Sequence, residues 1–253
     1  MKYNQVVPGI FLQRPNRFIA HILINGKEEV CHVKNTGRCR ELLIPGCTVY
    51  CAVSDNPQRK TKYDLIAVEK SIENQIVFAN AGIPSLHGKS TPEAHSTLLV
   101  NMDSQAPNAA VKEWLRSGAS PFGKIDFLKP EYKYGNSRFD FYLECNSRKI
   151  FLEVKGVTLE DNGVVLFPDA PTERGVKHVR ELIRCHEEGF ETYVLFVVQM
   201  EHAQYFTPNR KTHPQFADAL CDARDAGVQL LAYTCKVAPD VMNIDKELKI
   251  SLS

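Results

Sequence analysis

The sequence predicts two domains: a small β-barrel, then an α/β domain in which three successive strands lie between helices. Three observations lead there. The chain has 253 residues, more than one compact domain of ordinary size needs. Its first third alternates apolar and polar residues between turn signals. Beyond "AGIPSLHGKSTP" (81–92), a stretch rich in Gly, Pro and Ser, helical periodicity appears between the strands. Taking that stretch as a linker divides the chain into 1–85 and 86–253.

The barrel elements follow in order. "RFIAHILINGKEEVCHV" (17–33) holds two alternating runs joined by Asn25-Gly26, the signal of a tight type I′ hairpin. "KNTGR" (34–38) is a turn and "CRELL" (39–43) a short helical piece. "CTVYCAV" (47–53), "YDLIAVEK" (63–70) and "QIVFAN" (75–80) complete five strands. Five short strands with one small helical insertion fit the OB-fold best.

In the second domain, 108–117 reads as a helix, with apolar residues at 111, 114 and 115. A strand over 123–135 breaks near Pro130, and strands at 138–145 and 149–157 are joined by a short turn. Residues 172–189 form a helix with Val176, Val179 and Ile183 on one face, Thr172 as N-cap and Gly189 as stop. "TYVLFVVQM" (192–200) is apolar almost throughout, as a central strand is. A helix at 214–227 and a strand at 228–235 complete the order α-β-β-β-α-β-α-β.

Composition narrows the function classes. No apolar run reaches the ~18 residues of a membrane helix, and the first 18 residues lack the apolar core of a signal peptide. A cytoplasmic location is therefore expected. The eight cysteines form no C-x-x-C pair. Cys31, Cys39 and Cys47 recur every eighth residue, which a metal site or buried free thiols would both explain. The net charge is +1, but residues 1–85 carry 11 basic and 7 acidic side chains. A mildly basic front suits an anionic partner.

The chemistry concentrates in the hairpin 138–157. With its centre between Asn146 and Ser147, Asp140 faces Glu153. Period two then places Arg138, Asp140 and Tyr142 on one sheet face with Phe151, Glu153 and Lys155. Two carboxylates that close repel each other unless a positive charge lies between them. A hard divalent cation supplies it, taking one or two carboxylates plus water and phosphate oxygens. The cation activates water and polarises phosphorus, while a lysine neutralises developing charge. Asp140, Glu153 and Lys155 thus form a candidate phosphodiester-hydrolysis site, with Mg2+ or Mn2+ on Asp140 and Glu153. The plain alternative is a solvated cross-strand charge ladder. Downstream, "FPDAPTERGVKHVREL" (167–182) opens a helix whose N–H groups favour phosphate. Arg174 and Lys177 share a face there and His178 lies near its boundary. Phosphate contact and a solvated face with i,i+4 pairs both fit them. The same choice holds for Arg14, Arg17, Lys34, Arg38 and Arg40 around the barrel's first turns.

Several motifs together resemble one family. "RPNRF" (14–18), "NTGR" (35–38), "ELLIPG" (41–46), "SRFDF" (137–141), "EVKGVTL" (153–159), "FPDAPTERGVKHVREL" (167–182) and "GVQLLAY" (227–233) are similar to the sugar fermentation stimulation proteins of bacteria and archaea. The resemblance implies an OB-like N-terminal domain followed by a PD-(D/E)xK nuclease-like domain, with an αβββαβ sheet and flanking helices. It also implies DNA binding, single- or double-stranded, and a regulatory role in sugar (maltose) metabolism. Asp140, Glu153 and Lys155 take the positions of that nuclease motif, with Phe139 in place of its proline. Glu113, on the first helix, is the candidate for a further acidic residue. Arg14, Arg17 and Arg38 fall inside motifs and are drawn toward DNA contact.

Overall fold

The computed structural model describes residues 1–35, 37–71 and 97–252. The expected strand at 75–80 and linker at 81–92 lie outside these residues.

The barrel is built from β1 (Val6–Gln13), β2 (Ile19–Ile24), β3 (Lys27–Val33), β4 (Thr48–Val53) and β5 (Tyr63–Ser71). They pair in the order β3-β2-β1-β4-β5, and a parallel β3–β5 ladder closes the ring. This is the closed five-stranded OB arrangement. Asn25 and Gly26 turn β2 into β3 with φ of 51° and 78°, as a type I′ turn requires. Residues 39–43 form turns on the Cys39 carbonyl and no helix.

Strand β1 was not expected, because Pro8 and Gly9 interrupt its pattern. The fold gives both a place. At Pro8 the strand pairs only with β4, and its ladder to β2 begins at Ile10. The missing N–H therefore breaks no bond to β2. At Gly9 a Cβ would meet Ile22 Cγ2 at 2.6 Å. Glycine here lets β1 approach a fully buried side chain.

A sixth strand, β6 (Thr97–Asn101), pairs antiparallel with β5. The first sheet thus reaches beyond the 85/86 boundary drawn from composition. Composition shows where a chain leaves a strand but not which sheet it rejoins.

The second domain contains α1 (Ala106–Ser117), β7 (Phe127–Tyr134), β8 (Ser137–Cys145), β9 (Arg148–Val157), β10 (Leu159–Asp161), β11 (Val164–Phe167), α2 (Glu173–Glu187), β12 (Glu191–Val198), β13 (Tyr205–Pro208), α3 (Pro214–Asp225), β14 (Gln229–Ala238) and β15 (Val241–Glu247). Its main sheet runs β15-β14-β12-β9-β8-β7, and β10, β11 and β13 form a small second sheet. The central strands β9, β12 and β14 are parallel. Both faces of such strands are covered, which explains the unbroken apolar run of β12. Val194, Phe196 and Val198 pack with α2 and α3, while Leu195 and Val197 pack with α1. Pro130 keeps its place in β7, because β7 is the sheet edge and forms one ladder only, and the expected interruption falls at the next residue, Glu131, which drops out of that ladder. On α2, Thr172 Oγ1 accepts the Gly175 N–H at 3.0 Å, as an N-cap should.

All eight cysteines are free thiols, and Cys31, Cys39 and Cys51 are buried in the barrel core. Among the described residues no group of three or more His, Cys, Asp or Glu is arranged as a metal cluster. No helix among them is long and apolar enough to cross a membrane.

Gly9→Ala forces its methyl into Ile22. It is expected to cost about 1–3 kcal/mol of stability, read from the midpoint of urea unfolding.

Candidate metal and phosphate site

The β8–β9 hairpin has the expected register. Cys145 pairs with Arg148, Glu144 with Lys149 and Phe141 with Leu152. There the ladder ends. β8 continues along β7 to Ser137, while β9 continues along β12 to Val157. The strands diverge, and Asp140 occupies the opening. Its Oδ2 accepts the Val154 N–H at 2.8 Å, taking the place of the lost ladder. Its Oδ1 accepts from Asn108 Nδ2 of α1, also at 2.8 Å.

The simple alternation expected through Asp140 does not hold. Phe139 and Tyr142 pack in the same core layer as Phe151, and Phe141 packs in the opposite one. The phase of β8 therefore changes at Asp140. On β7, Glu131 takes a φ of 53°, and Asp140 and Glu131 are skipped in the β7–β8 ladder. A local break in both strands re-aims the Asp140 side chain.

β9 remains regular. Leu152 and Val154 face α1, so Glu153 and Lys155 face α2. Glu153 is 2% exposed. Lys155 Nζ donates to Glu153 Oε1 at 2.7 Å, and His178 Nδ1 of α2 bonds to the same oxygen. Burial pushes the Glu153 carboxyl up, but the Lys155 charge and the His178 hydrogen bond outweigh it. They hold the carboxyl below the usual range. Its other oxygen, Oε2, is buried without a partner. An ionised carboxylate with one buried, unpaired oxygen is suited to a cation.

Asp140 moves the opposite way. Burial and the Glu153 charge raise its pKa from 3.8 to about 6, although the Val154 N–H, Asn108 and Lys155 favour the anion. The two carboxylates thus lie close enough to repel. Two carboxylates, with water and phosphate completing the shell, match the habits of Mg2+ and Mn2+.

Glu113 is not part of this site. Its side chain is 64% exposed and pairs with the Met1 ammonium at 2.7 Å. At about 100° per residue, five residues turn it well away from Asn108. Asn108 is the α1 residue that reaches the site, and sequence reasoning missed it. The available signal was its position three residues before the buried Val111, on the same helical face. His178, a candidate for DNA contact, is instead buried against Glu153.

The basic candidates divide into two groups. The Arg14 guanidinium donates to the carbonyls of Arg38, Arg17 and Asn35 at 2.7–2.8 Å. Lys34 pairs with the buried Asp103 at 3.2 Å and Asp64 at 3.7 Å. Both are committed within the fold, because buried carboxylates and turn carbonyls need donors. Arg17, Arg38, Arg40, Arg174 and Lys177 are exposed. A groove of about 680 Å³ lies among Arg14, Arg17, Arg38, Arg40 and Ala170. It runs from the barrel to the segment before α2, where Gly37 abuts Asp169.

The family model described as the SfsA N-terminal OB domain matches residues 12–78. That described as the sugar fermentation stimulation protein RE domain matches 105–241. The chain belongs to the sugar fermentation stimulation protein family. It is 51% identical over 244 residues to the homolog of Clostridium beijerinckii, covering 96% of each chain. It is 49% identical over 252 residues to that of Ruminiclostridium cellulolyticum, covering 100% of each. The structure of Pyrococcus furiosus SfsA, described as in complex with Ca2+, superposes with a TM-score of 0.81. It is 27% identical and covers 99% of this chain and 98% of the other.

The Asp140 shift has a testable sign. Between about pH 4 and 6 the folded chain holds a proton that the unfolded chain has lost. The Asp140 contribution to stability therefore falls as pH rises through that window. In EDTA, Asp140→Asn is expected to stabilise the protein by on the order of 1–3 kcal/mol at pH 8. That gain should shrink toward pH 4, as urea unfolding at the two pH values will show.

Proposed function

We propose that this protein binds DNA and hydrolyses phosphodiester bonds at a divalent-metal site formed by Asp140 and Glu153. The observation that carries this reading is the free Glu153 Oε2, buried beside Asp140 with Lys155 next to it. A bound Mg2+ or Mn2+ would supply Lewis acidity toward phosphorus and a water of lowered pKa. The Ca2+ named for the P. furiosus relative supports a hard divalent ion at a site of this type.

The protein's own groups have distinct tasks. Asp140 and Glu153 hold the ion. Asn108 and the Val154 N–H fix Asp140 against the backbone of β9. Lys155 offsets the charge of Glu153 and would neutralise negative charge developing on the phosphoryl group. The exposed Arg17, Arg38 and Arg40 attract the sugar–phosphate backbone.

A second reading, a DNA-binding regulator of sugar metabolism that does not cleave, is favoured by one observation. The arginine-lined groove opens from the barrel and does not depend on Glu153.

Incubation with single- and double-stranded DNA, with Mg2+ or Mn2+ and with EDTA, separates the two readings. Metal-dependent cleavage is expected, with a loss of roughly 100-fold or more in Lys155→Met. No cleavage of either substrate by the wild-type protein overturns the nuclease reading. Binding that Glu153→Ala retains would then leave the regulator. Arg38→Ala and Arg40→Ala are each expected to weaken binding and lower the slope of log affinity against log salt by about one.

A further inference from the structure

Glu153 receives two hydrogen bonds on one oxygen and none on the other. Lys155 reaches Oε1 from the same strand, and His178 reaches it from α2. The carboxylate torsion has a broad, two-fold profile, and the lysine lies at the end of a four-carbon stem. Lysine alone would follow the carboxylate through either of its two faces. A second donor on a different element removes that freedom.

His178 is well placed to be that donor. It is 7% exposed. Its helix is anchored by the Thr172 cap and by Val176 and Val179 in the core. On the far side of the ring, Arg174 Nε donates to His178 Nε2 at 3.5 Å. Arginine donates and never accepts, so Nε2 is the acceptor and the ring N–H at Nδ1 faces Glu153.

We infer that His178 is a positioning residue that, by fixing Glu153 through Oε1, presents Oε2 to the metal. This rests on the metal-site reading above. Partners of this kind typically set metal affinity by 10–100-fold. The role differs from DNA contact, which a buried ring facing a carboxylate does not suit.

The test is calorimetric titration of the full-length protein with Mn2+. His178→Ala is expected to weaken binding about tenfold or more. His178→Asn, whose side-chain N–H can occupy the Nδ1 position, should lie closer to wild type than to the alanine variant. Cleavage by His178→Ala should recover at saturating Mn2+, because ion occupancy is lost and the catalytic groups remain. Unchanged affinity in His178→Ala, or equal losses in the two variants, overturns the inference. If the wild-type protein binds no Mn2+, the metal-site reading fails instead. Should His178→Ala not fold, nitrogen-15 spectra of histidine-labelled wild type decide. The Nδ1–H signal of His178 must move on addition of Mg2+, and a stationary signal overturns the inference.

Discussion

A carboxylate at 2% exposure in the middle of a sheet is the constraint around which the second domain is arranged. An isolated buried charge of this kind is prohibitively costly unless paired and hydrogen-bonded. Glu153 meets that requirement from two directions, with Lys155 two residues along β9 and His178 across on α2. The requirement ties α2 to β9 through His178, in addition to the packing of Val176 and Val179. It is met on one oxygen only. A stability-driven arrangement would share the donors between both oxygens. The asymmetry leaves one Glu153 oxygen buried without a partner, near an Asp140 carboxyl that burial and the Glu153 charge push up.

The opening that admits Asp140 comes from the sheet itself. Beyond Phe141 and Leu152, β8 and β9 follow different partners, leaving the Val154 N–H without a strand opposite. A buried N–H must be satisfied, and the Asp140 carboxylate does this while remaining beside Glu153. The same interaction therefore repairs the ladder and sets the spacing of the acids. It also extends toward the barrel. Asn108 on Asp140 lies at the start of α1, preceded by Asp103, whose Oδ1 accepts the Gln105 N–H. The other oxygen of Asp103 receives Tyr3 and Lys34, both from the barrel side. Gln199, just beyond β12, donates to the carbonyls of Asn101 and Asp103. Barrel and site are thus joined by a nearly continuous set of satisfied polar contacts.

These relations explain what was legible in the sequence. The hairpin register followed from the turn at Asn146-Ser147 and strand period alone, and α2 from Thr172, its valines and Gly189. Both are local rules acting over a few residues. The failures were tertiary. Asp140 left the expected alternation at the point where it and Glu131 drop out of the β7–β8 ladder. Glu113 carried the right charge on the wrong side of α1. β1 was hidden by a proline and a glycine whose roles appear only against β2 and β4. β6 returned to a sheet that composition had closed off.

The arginines make the same point about function. Sequence treats Arg14 and Arg38 alike, since both sit in motifs near one turn. In the fold they act in series. The Arg14 fork holds three carbonyls, among them those of Asn35 and Arg38, and so fixes the shape of the turn bearing Arg38. Arg38 and Arg40 are then free to face the groove. The Arg14 guanidinium makes three hydrogen bonds to the turn and its Nε is buried, so it is held within the fold. Its loss would disturb the carbonyls it holds and the geometry of its neighbours. A basic residue inside such a motif can thus be part of the scaffold, and its hydrogen-bond partners tell the two roles apart.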